Sequence, residues 1–222
     1  MKYQHTDIHQ QILDFPPGKV VCVGRNYVDH IRELKNTIPT SPLLFIKPAS
    51  SIINLTTPIQ WPKEYGACHY ELELALLITQ TISKAKPQDI QLNQFYYGLA
   101  IDLTLRDLQS QLKEKGHPWE KAKAFDGSCV LSPFIHSQEI KQLDNIEFKL
   151  SINNELRQHG FTQQMITAIP KLITEASRFF TLEPGDVLLT GTPAGVGPLN
   201  PGDRLDFSLN DYRFSDTATV ML

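Results

Sequence analysis

The stretch His69-Tyr70-Glu71-Leu72-Glu73-Leu74-Ala75-Leu76-Leu77 places two carboxylates two residues apart in a segment that otherwise has the composition of a buried strand. Because side chains alternate between the faces of a strand, Glu71 and Glu73 share one face with Ala75 and Leu77. A solvated face would stay polar along the segment, whereas this one becomes apolar. Two buried like charges need a compensating cation, and carboxylate oxygens are ligands of hard divalent ions. The stretch therefore predicts a metal site. An edge strand with solvated glutamates is the alternative.

Length and composition limit the class of protein. The chain has 222 residues, of which 41% are hydrophobic, enough for one domain with a substantial core. Its net charge of -3, without blocks of like charge, gives no electrostatic basis for binding nucleic acid or a membrane surface. The three cysteines are widely spaced, which favours a reducing compartment, and the first residues lack the apolar run of a signal peptide. We therefore expect a soluble, cytoplasmic protein that acts on a small molecule.

Turn residues predict a β-rich α+β fold. Fifteen prolines, several of them in Pro-Gly-Asp turns, separate short elements. Strands are predicted at Lys19 to Val23, Leu43 to Lys47, Tyr70 to Ile78, Tyr96 to Ile101, Glu147 to Ile152, Val187 to Thr190 and Arg204 to Leu209. Helices are predicted from about Thr104, as the capping residue, to Lys115 and from about Pro170 to Phe180. Strands and helices do not alternate regularly, which favours one compact α+β domain over a doubly wound sheet.

A third carboxylate follows the strand that ends at Ile101. Asp102 can complete a set with Glu71 and Glu73, and three carboxylates suit magnesium or manganese better than zinc or copper. A second helix-capping residue is the alternative for Asp102. On the helix that follows, Arg106 and Gln109 are three apart and share a face, so they can hold a substrate carboxylate. A solvated helix face is equally compatible with their spacing.

Two further segments carry candidate catalytic groups. His30 and Glu33 stand at helical i,i+3 spacing, and a carboxylate beside an imidazole raises its basicity, as an acid–base dyad requires. A surface ion pair is the alternative. In the segment from Lys121 to Asp126, Lys123 can stabilise an oxyanion, although either lysine of the segment can equally be a solvated charge.

The glycine-rich loop Gly191-Thr192-Pro193-Ala194-Gly195-Val196-Gly197 follows a predicted strand. It lacks the fingerprints of a P-loop and of a dinucleotide-binding turn. Its glycines allow the backbone to approach a ligand closely, so its N–H groups and the Thr192 hydroxyl can clamp a carboxylate. A tight structural turn is the alternative.

Taken together, these segments resemble the fumarylacetoacetate hydrolase family, in particular its short single-domain acylpyruvase and oxaloacetate decarboxylase branch. The motifs are Gly24-Arg25-Asn26-Tyr27 with His30 and Glu33, Phe45-Ile46-Lys47-Pro48, His69 through Leu74, Asp102 through Gln109, Lys123-Ala124-Phe125-Asp126, Asn153 through Gln158, and Pro184-Gly185-Asp186 with Thr190 through Gly197. The resemblance begins at about Gly18. It therefore implies one catalytic domain over residues 18–222, preceded by an N-terminal extension over residues 1–17.

The resemblance implies a fold and a site. The fold is a mixed β-roll or sandwich of the fumarylacetoacetase C-terminal-domain type with a few flanking helices, usually as a homodimer. The site has Mg2+ or Mn2+ on Glu71, Glu73 and Asp102, with Lys123 beside the metal. His30 and Glu33 form a water-activating dyad, often on a mobile lid. The expected substrate-binding residues are Arg25, Lys47, Arg106, Gln109 and Thr192.

The resemblance also implies an activity. We expect a divalent-metal-dependent enzyme that cleaves a carbon–carbon bond in small 2-oxo acids through a metal-stabilised pyruvate enolate. The reaction is acylpyruvate hydrolysis, oxaloacetate decarboxylation, or both. One alternative is an isomerase or tautomerase that acts on 2-oxo or 2-hydroxydienoate acids from aromatic catabolism. Another is a non-catalytic, metal-dependent module that binds a dicarboxylate.

Overall fold

The computed structural model describes residues 3–214 and 217–221. The strands are β1 (Val20–Gly24), β2 (Leu43–Lys47), β3 (Ile52–Asn54), β4 (Cys68–Tyr70), β5 (Leu72–Leu77), β6 (Tyr96–Asp102), β7 (Thr104–Leu105), β8 (Cys129–Leu131), β9 (Ile135–His136), β10 (Glu147–Ile152), β11 (Glu155–Phe161), β12 (Val187–Leu189), β13 (Gly197–Pro198), β14 (Arg204–Leu209), β15 (Tyr212–Arg213) and β16 (Ala218–Thr219). The helices are α1 (Val28–Glu33), α2 (Arg106–Glu114), α3 (Glu120–Lys123) and α4 (Ile169–Phe179).

The main sheet carries the candidate site. Its strand order is β2-β1-β12-β5-β6-β8-β3, with β9 paired to β6. The β1–β12 and β3–β8 pairs are parallel, and the other pairs of this sheet are antiparallel. A second sheet has the order β11-β10-β14-β15 with β16 on β14, and a short sheet has the order β13-β4-β7. These mixed sheets with short flanking helices confirm the predicted β-rich α+β class.

The predicted strand from Tyr70 to Ile78 is interrupted at Glu71. β4 pairs with β13 and β7, whereas β5 pairs with β12 and β6, so the two halves join different sheets. Because Leu72 lies at the junction, its N–H donates to the side chain of Gln158 at 2.8 Å. The predicted alternation of faces is confirmed. Leu72, Leu74 and Leu76 belong to one buried cluster, and Ala75 and Leu77 belong to another.

The helix predicted from Thr104 begins at Arg106 instead. Thr104 pairs with β4 as the first residue of β7, and its hydroxyl accepts a hydrogen bond from Lys123 Nζ at 2.7 Å. Thr104 therefore pairs with β4 and binds Lys123, and it does not cap the helix. The second predicted helix is confirmed as α4, with Pro170 in its first turn. No helix among the described residues is long and apolar enough to cross a membrane.

Several short elements lack a sequence prediction, and α1 and β11 show why. β11 is an edge strand of the second sheet, and most of its side chains are exposed. An exposed edge strand has no buried face, so its sequence lacks the hydrophobic alternation that marks a strand. α1 has only six residues, fewer than the periodic pattern of a helix needs to be recognised.

The N-terminal segment packs against the main sheet. His5 is fully buried, with Nε2 3.0 Å from the carbonyl of Gly185, and Phe134 N–H donates to the carbonyl of Thr6 at 2.8 Å. The side chains of Tyr3, Leu13 and Phe15 cover the same apolar face as Ala75 and Leu77. The predicted boundary at residue 17 stays a prediction. Residues 1 and 2 of the predicted extension, and 215, 216 and 222 of the predicted domain, lie outside the described residues.

Candidate active site

Three carboxylates meet where the paired strands β5 and β6 end. Glu73 lies on β5 opposite Ala100, and Asp102 is the last residue of β6. Glu71 precedes β5, and its carbonyl accepts the Asp102 N–H at 2.9 Å. Carboxylate oxygens of Glu71, Glu73 and Asp102 lie within 4.8 Å of one another, and all three residues are buried. Because β5 is a central strand, the alternative of an edge strand with solvated glutamates is wrong.

Glu71 is neutralised by cations of the chain. Its carboxylate contacts Arg106 Nη2, and Lys123 Nζ lies 3.1 Å from its Oε2 atom. Burial raises the pKa of the Glu71 carboxyl, but the charges of Lys123 and Arg106 outweigh burial and hold that pKa well below its ordinary value. Glu71 is therefore a carboxylate across the physiological pH range.

Glu73 lies in the opposite electrostatic environment. Its carboxylate accepts one hydrogen bond, from Gly191 N–H at 2.6 Å, and its side chain is 3% exposed. Burial raises the pKa of the Glu73 carboxyl far above its ordinary value, and the nearby charges of Asp102 and Glu71 add to this effect. Without a further cation, these surroundings favour the protonated form of Glu73.

Asp102 lies between two lysines. Lys47 Nζ is 2.8 Å from Oδ1 and Lys123 Nζ is 2.5 Å from Oδ2, yet neither carboxylate oxygen accepts a hydrogen bond of good geometry. The residue is 1% exposed, so bulk water does not reach these oxygens. Asp102 is not the helix cap of the alternative, and its lone pairs remain available for a ligand ion.

Lys123 holds a permanent positive charge in the same place. Its side chain is buried, and Nζ also donates to the Thr104 hydroxyl at 2.7 Å. Burial lowers the pKa of the Lys123 ammonium, but the carboxylates of Asp102 and Glu71 outweigh burial and raise that pKa. The alternative of a solvated charge describes Lys121, which is exposed, and not Lys123.

His30 and Glu33 approach each other on α1. His30 is 6% exposed, and its Nδ1 atom is 3.5 Å from Glu33 Oε2, too long for a good hydrogen bond. The Glu33 carboxylate instead accepts Gly195 N–H, at 3.1 and 3.2 Å to its two oxygens. Burial lowers the pKa of the His30 imidazole, although Glu71 and Glu33 partly oppose this effect. His30 is thus a buried, neutral imidazole at pH 7, which a surface ion pair would not be.

Arg106 and Gln109 share the face of α2 that turns toward the carboxylates. Arg106 Nη1 donates to Gln109 Oε1 at 2.9 Å, while Nη2 contacts Glu71, and Gln109 is 6% exposed. The structure therefore brings both residues to the carboxylates, and the alternative of a solvated helix face does not describe them.

The glycine-rich loop uses its N–H groups differently from the prediction. Gly191 N–H binds Glu73 and Gly195 N–H binds Glu33, so these two donors serve carboxylates of the chain itself. The Thr192 hydroxyl lines the pocket, but it also accepts a hydrogen bond from Gln158 Nε2 at 2.8 Å. The loop therefore fixes the positions of two acidic residues. Of the predicted clamp, these two N–H groups are already used, while Thr192 lines the pocket.

The space enclosed by these residues is small. Its volume is about 40 Å³, close to the share of one water molecule in the liquid, roughly 30 Å³. Residues after α1, including Leu34 and Asn36, form part of its wall. His30 also lines this space. The mobile lid at His30 and Glu33 stays a prediction. A cavity of about 610 Å³ lies elsewhere, beside Phe161 and Leu209.

The donor set fits a divalent cation. It contains only carboxylate oxygens, the ligands preferred by magnesium and manganese. The raised pKa of Glu73 indicates that the cations of the chain do not offset burial at this carboxylate, and both oxygens of Asp102 lack a hydrogen bond of good geometry. Glu71, Glu73 and Asp102 would hold the ion, and its charge would keep all three residues deprotonated.

Comparison with known proteins places this site in a family. Residues 19–217 match the family described as fumarylacetoacetate (FAA) hydrolase, C-terminal. The chain belongs to the fumarylacetoacetate hydrolase family. This confirms the resemblance stated from the motifs.

Several relatives in the family are enzymes of known name. The chain is 47% identical over 211 residues to an oxaloacetate tautomerase of Escherichia coli (strain K12), which covers 95% of this chain and 96% of the relative. It is 44% identical over 188 residues to an oxaloacetate decarboxylase of Dictyostelium discoideum, covering 83% and 85%. Among solved structures, the fumarylpyruvate hydrolase of Pseudomonas aeruginosa in complex with Mn2+ and pyruvate is 31% identical. It has a TM-score of 0.90, with 100% of this chain and 96% of that chain covered.

Lys47 lies in a different place from the one expected of a substrate-binding residue. Its side chain has no exposed surface, and Nζ contacts the carbonyl of Lys123, the carbonyl and hydroxyl of Ser128, and Asp102. Lys47 therefore lies behind Asp102, away from the pocket. We interpret it as a positioning residue that orients the carboxylate of Asp102.

Replacing Lys47 by methionine is expected to lower the free energy of unfolding by about 3–5 kcal/mol, because Asp102 would lose one partner of a buried ion pair. Urea unfolding of the metal-free protein measures this change. Lys171→Met, an exposed lysine on α4, is the matched control. A loss below about 1 kcal/mol, the range of a surface ion pair, would contradict the role assigned to Lys47.

The structure adds residues that the sequence reasoning did not assign. Gln158, 1% exposed, links Leu72 of β5 to Thr192 of the glycine-rich loop through its amide. Lys113 and Trp119 line the pocket. A signal for Lys113 exists in the sequence, since it follows Arg106 by seven residues and so falls on the same face of α2.

Proposed function

We propose that this protein catalyses the keto–enol interconversion of oxaloacetate, with a divalent cation held by Glu71, Glu73 and Asp102. The observation that carries the proposal is the buried Lys123 ammonium, which contacts two of the three carboxylates and so fixes a positive charge beside the cation position. The name of the Escherichia coli relative, an oxaloacetate tautomerase, supports the choice of reaction. The order of preference is thus reversed from the sequence prediction, which put carbon–carbon cleavage first.

In such a reaction, different residues of the chain would stabilise charge and orient the substrate. A divalent cation would act as a Lewis acid that polarises the 2-oxo group and makes the C3 proton more acidic. Lys123 would stabilise negative charge on the C2 oxygen. Arg106, held by Gln109 and Glu71, would orient the C1 carboxylate together with the Thr192 hydroxyl.

His30 would move the proton at C3. Its Nδ1 atom faces Glu33, which leaves Nε2 for the substrate. Because its pKa is lowered, the imidazole is neutral at pH 7 and can take the proton from C3 of the keto form. The enolate formed becomes the enol when its C2 oxygen takes a proton from water. In the reverse direction that oxygen releases its proton, and the protonated imidazole returns a proton to C3 of the enolate.

We expect the dependence of kcat/KM on pH to report this imidazole. A base with a lowered pKa stays active until the pH falls through that lowered value, so the acidic inflection should lie below pH 6.5, the ordinary value for histidine. The measurement uses saturating Mn2+, because protons compete with the metal for Glu73. An inflection above pH 6.5 would exclude His30 in its observed surroundings as the base.

The tautomerase reaction is tested by following the ultraviolet absorbance of freshly dissolved enol-oxaloacetate, with Mg2+, Mn2+ or EDTA. Accelerated loss of absorbance with a metal, without formation of pyruvate, is the expected result. Pyruvate formed at the same rate would indicate a decarboxylase instead. If neither process is accelerated, the proposed reaction is wrong.

Carbon–carbon hydrolysis of acylpyruvates is the second candidate. It is favoured by the juxtaposition of His30 and Glu33, 3.5 Å apart, since such a pair can take a proton from water as well as from C3. The similarity to the fumarylpyruvate hydrolase of Pseudomonas aeruginosa also favours it. Acetylpyruvate assayed beside oxaloacetate distinguishes the two reactions. The choice between Mg2+ and Mn2+, and the homodimer, stay predictions.

A further inference from the structure

Arg25 and Lys113 line the pocket and make no ion pair with an acidic residue of the described part of the chain. Arg25 Nη2 donates to the side-chain oxygen of Asn36 at 3.0 Å, a neutral acceptor. Lys113 Nζ lies 5.0 Å from the centroid of the Trp119 ring and makes no ion pair or side-chain hydrogen bond with any described residue. By contrast, Arg106 and Lys123 both contact Glu71. The positive charge of Arg25 and Lys113 is therefore available to a ligand.

The surroundings of Lys113 are unfavourable to its charge. Burial lowers the pKa of its ammonium to about 8; the like charges of Arg25 and Arg106 add to this effect, and the charge of Glu71 partly opposes it. A half-buried cation among other cations is stabilised by an anion and destabilised without one. Perturbed groups of this kind in a pocket are typical of binding sites.

The backbone conformation of Arg25 is also energetically unfavourable. Its φ of +60° lies in the left-handed region, which non-glycine residues rarely adopt. Arg25 directly follows β1 and lines the pocket together with His30 and Lys113. Strained backbone that brings a charged side chain to a pocket is common at functional sites.

Helix α2 places Arg106 next to the carboxylates and Lys113 farther from them. Arg106 and Lys113 are seven residues apart on one face of α2, about 10 Å along the helix axis at 1.5 Å per residue. Arg106 contacts Glu71 at the floor of the pocket, whereas Lys113 lies beside Trp119. A short ligand can therefore be anchored at the carboxylate cluster and still present a second anionic group toward Lys113.

We propose that Lys113 and Arg25 bind the distal carboxylate of a dicarboxylic 2-oxo acid and so select it over 2-oxo acids with an uncharged tail. The inference rests on the proposed function, because it assumes that the 2-oxo end of the substrate lies at the three carboxylates. The competing interpretation of Lys113 is a structural one, in which its only role is to pack on Trp119.

The test uses two inert probes that differ in one group. L-malate carries a distal carboxylate where 2-hydroxybutyrate carries a methyl group, and neither has a 2-oxo group that could react. Their binding is measured by calorimetry with saturating Mn2+ for the wild type, Lys113→Met, Lys113→Arg and Lys115→Met. Lys115 is an exposed lysine just beyond α2, so its variant controls for a general change of charge.

The wild type should bind L-malate roughly tenfold to a hundredfold more tightly than 2-hydroxybutyrate, as expected for a charge-assisted contact. Lys113→Met should remove this preference without weakening 2-hydroxybutyrate, while Lys113→Arg and Lys115→Met should keep it. The inference is overturned if the wild type shows no preference, if Lys113→Met keeps it, or if that variant weakens both probes equally.

The same variants separate this inference from the proposed function. If oxaloacetate is not turned over but the malate preference depends on Lys113, the carboxylate site stands and the proposed reaction fails. If oxaloacetate is turned over by the wild type and by Lys113→Met with the same kcat/KM, the reaction stands and the role of Lys113 is wrong.

Discussion

Replacing Glu73 by glutamine is expected to abolish metal-dependent turnover while leaving the metal-free protein at least as stable as the wild type. Burial and the charges of Asp102 and Glu71 already favour the protonated form of Glu73, which glutamine imitates in shape and charge. The amide oxygen can still accept the Gly191 N–H. Loss of a Lewis acid that contributes several kcal/mol should lower turnover by about a thousandfold or more.

The experiment compares thermal unfolding with and without MnCl2. A cation that binds only the folded state raises the melting temperature of the wild type, and this rise should vanish in Glu73→Gln. If the variant keeps the full rise, Glu73 is not a ligand and the carboxylate cluster has been assigned wrongly.

Glu71→Gln is the matched control, because the same chemical change should have the opposite effect on the metal-free protein. Glu71 balances Arg106 and shares Lys123 with Asp102, so its neutral analogue leaves the largely buried Arg106 guanidinium without its anionic partner. We expect the free energy of unfolding to fall by about 3–5 kcal/mol in the absence of metal. Equal stabilities for the two variants would contradict the electrostatic difference between Glu71 and Glu73.

The second large effect is expected for His30→Ala. Removal of a general base typically lowers the rate by about a hundredfold to ten-thousandfold. His30 is not among the three carboxylate ligands, so the rise in melting temperature with MnCl2 should be unchanged. Turnover of oxaloacetate and of acetylpyruvate should both fall, since both proposed reactions use this imidazole.

His117→Ala is the control for this measurement. His117 is exposed, lies just beyond α2, and contributes only its backbone N–H to a bond with Leu112. Its variant should keep wild-type turnover. If His30→Ala keeps turnover within a few-fold of the wild type, proton transfer belongs to another group. If the variant instead loses the metal effect, His30 acts through the metal site.

Part of this site could be predicted because its determinants are local. The alternation along residues 69–77 placed Glu71 and Glu73 on one face, and the i,i+3 spacings placed Arg106 with Gln109 and His30 with Glu33. The family resemblance joined these segments to Asp102 and Lys123. Each of these predictions needs only the geometry of one element, or a motif already in order along the chain.

The groups that bind and neutralise the acidic residues could not be predicted in the same way. Lys47 is in a recognisable motif, but only its contact with Asp102, 55 residues later in the chain, shows that it lies behind the carboxylates. The N–H groups of Gly191 and Gly195 could have served a ligand, yet they bind Glu73 and Glu33 from distant segments.

The amino-acid sequence by itself determined the α+β class, the identity of the carboxylates and the faces from which they project, because periodicity and spacing are properties of single segments. Only the tertiary structure decided which carboxylate is neutralised by the chain, which one has a raised pKa, and which cations of the pocket make no ion pair with a described residue. The physical reason is that a pKa depends on burial and on charges brought from several strands and helices. Glu71 and Glu73 stand two residues apart, and their pKa values are still shifted in opposite directions, since Lys123 and Arg106 contact only Glu71.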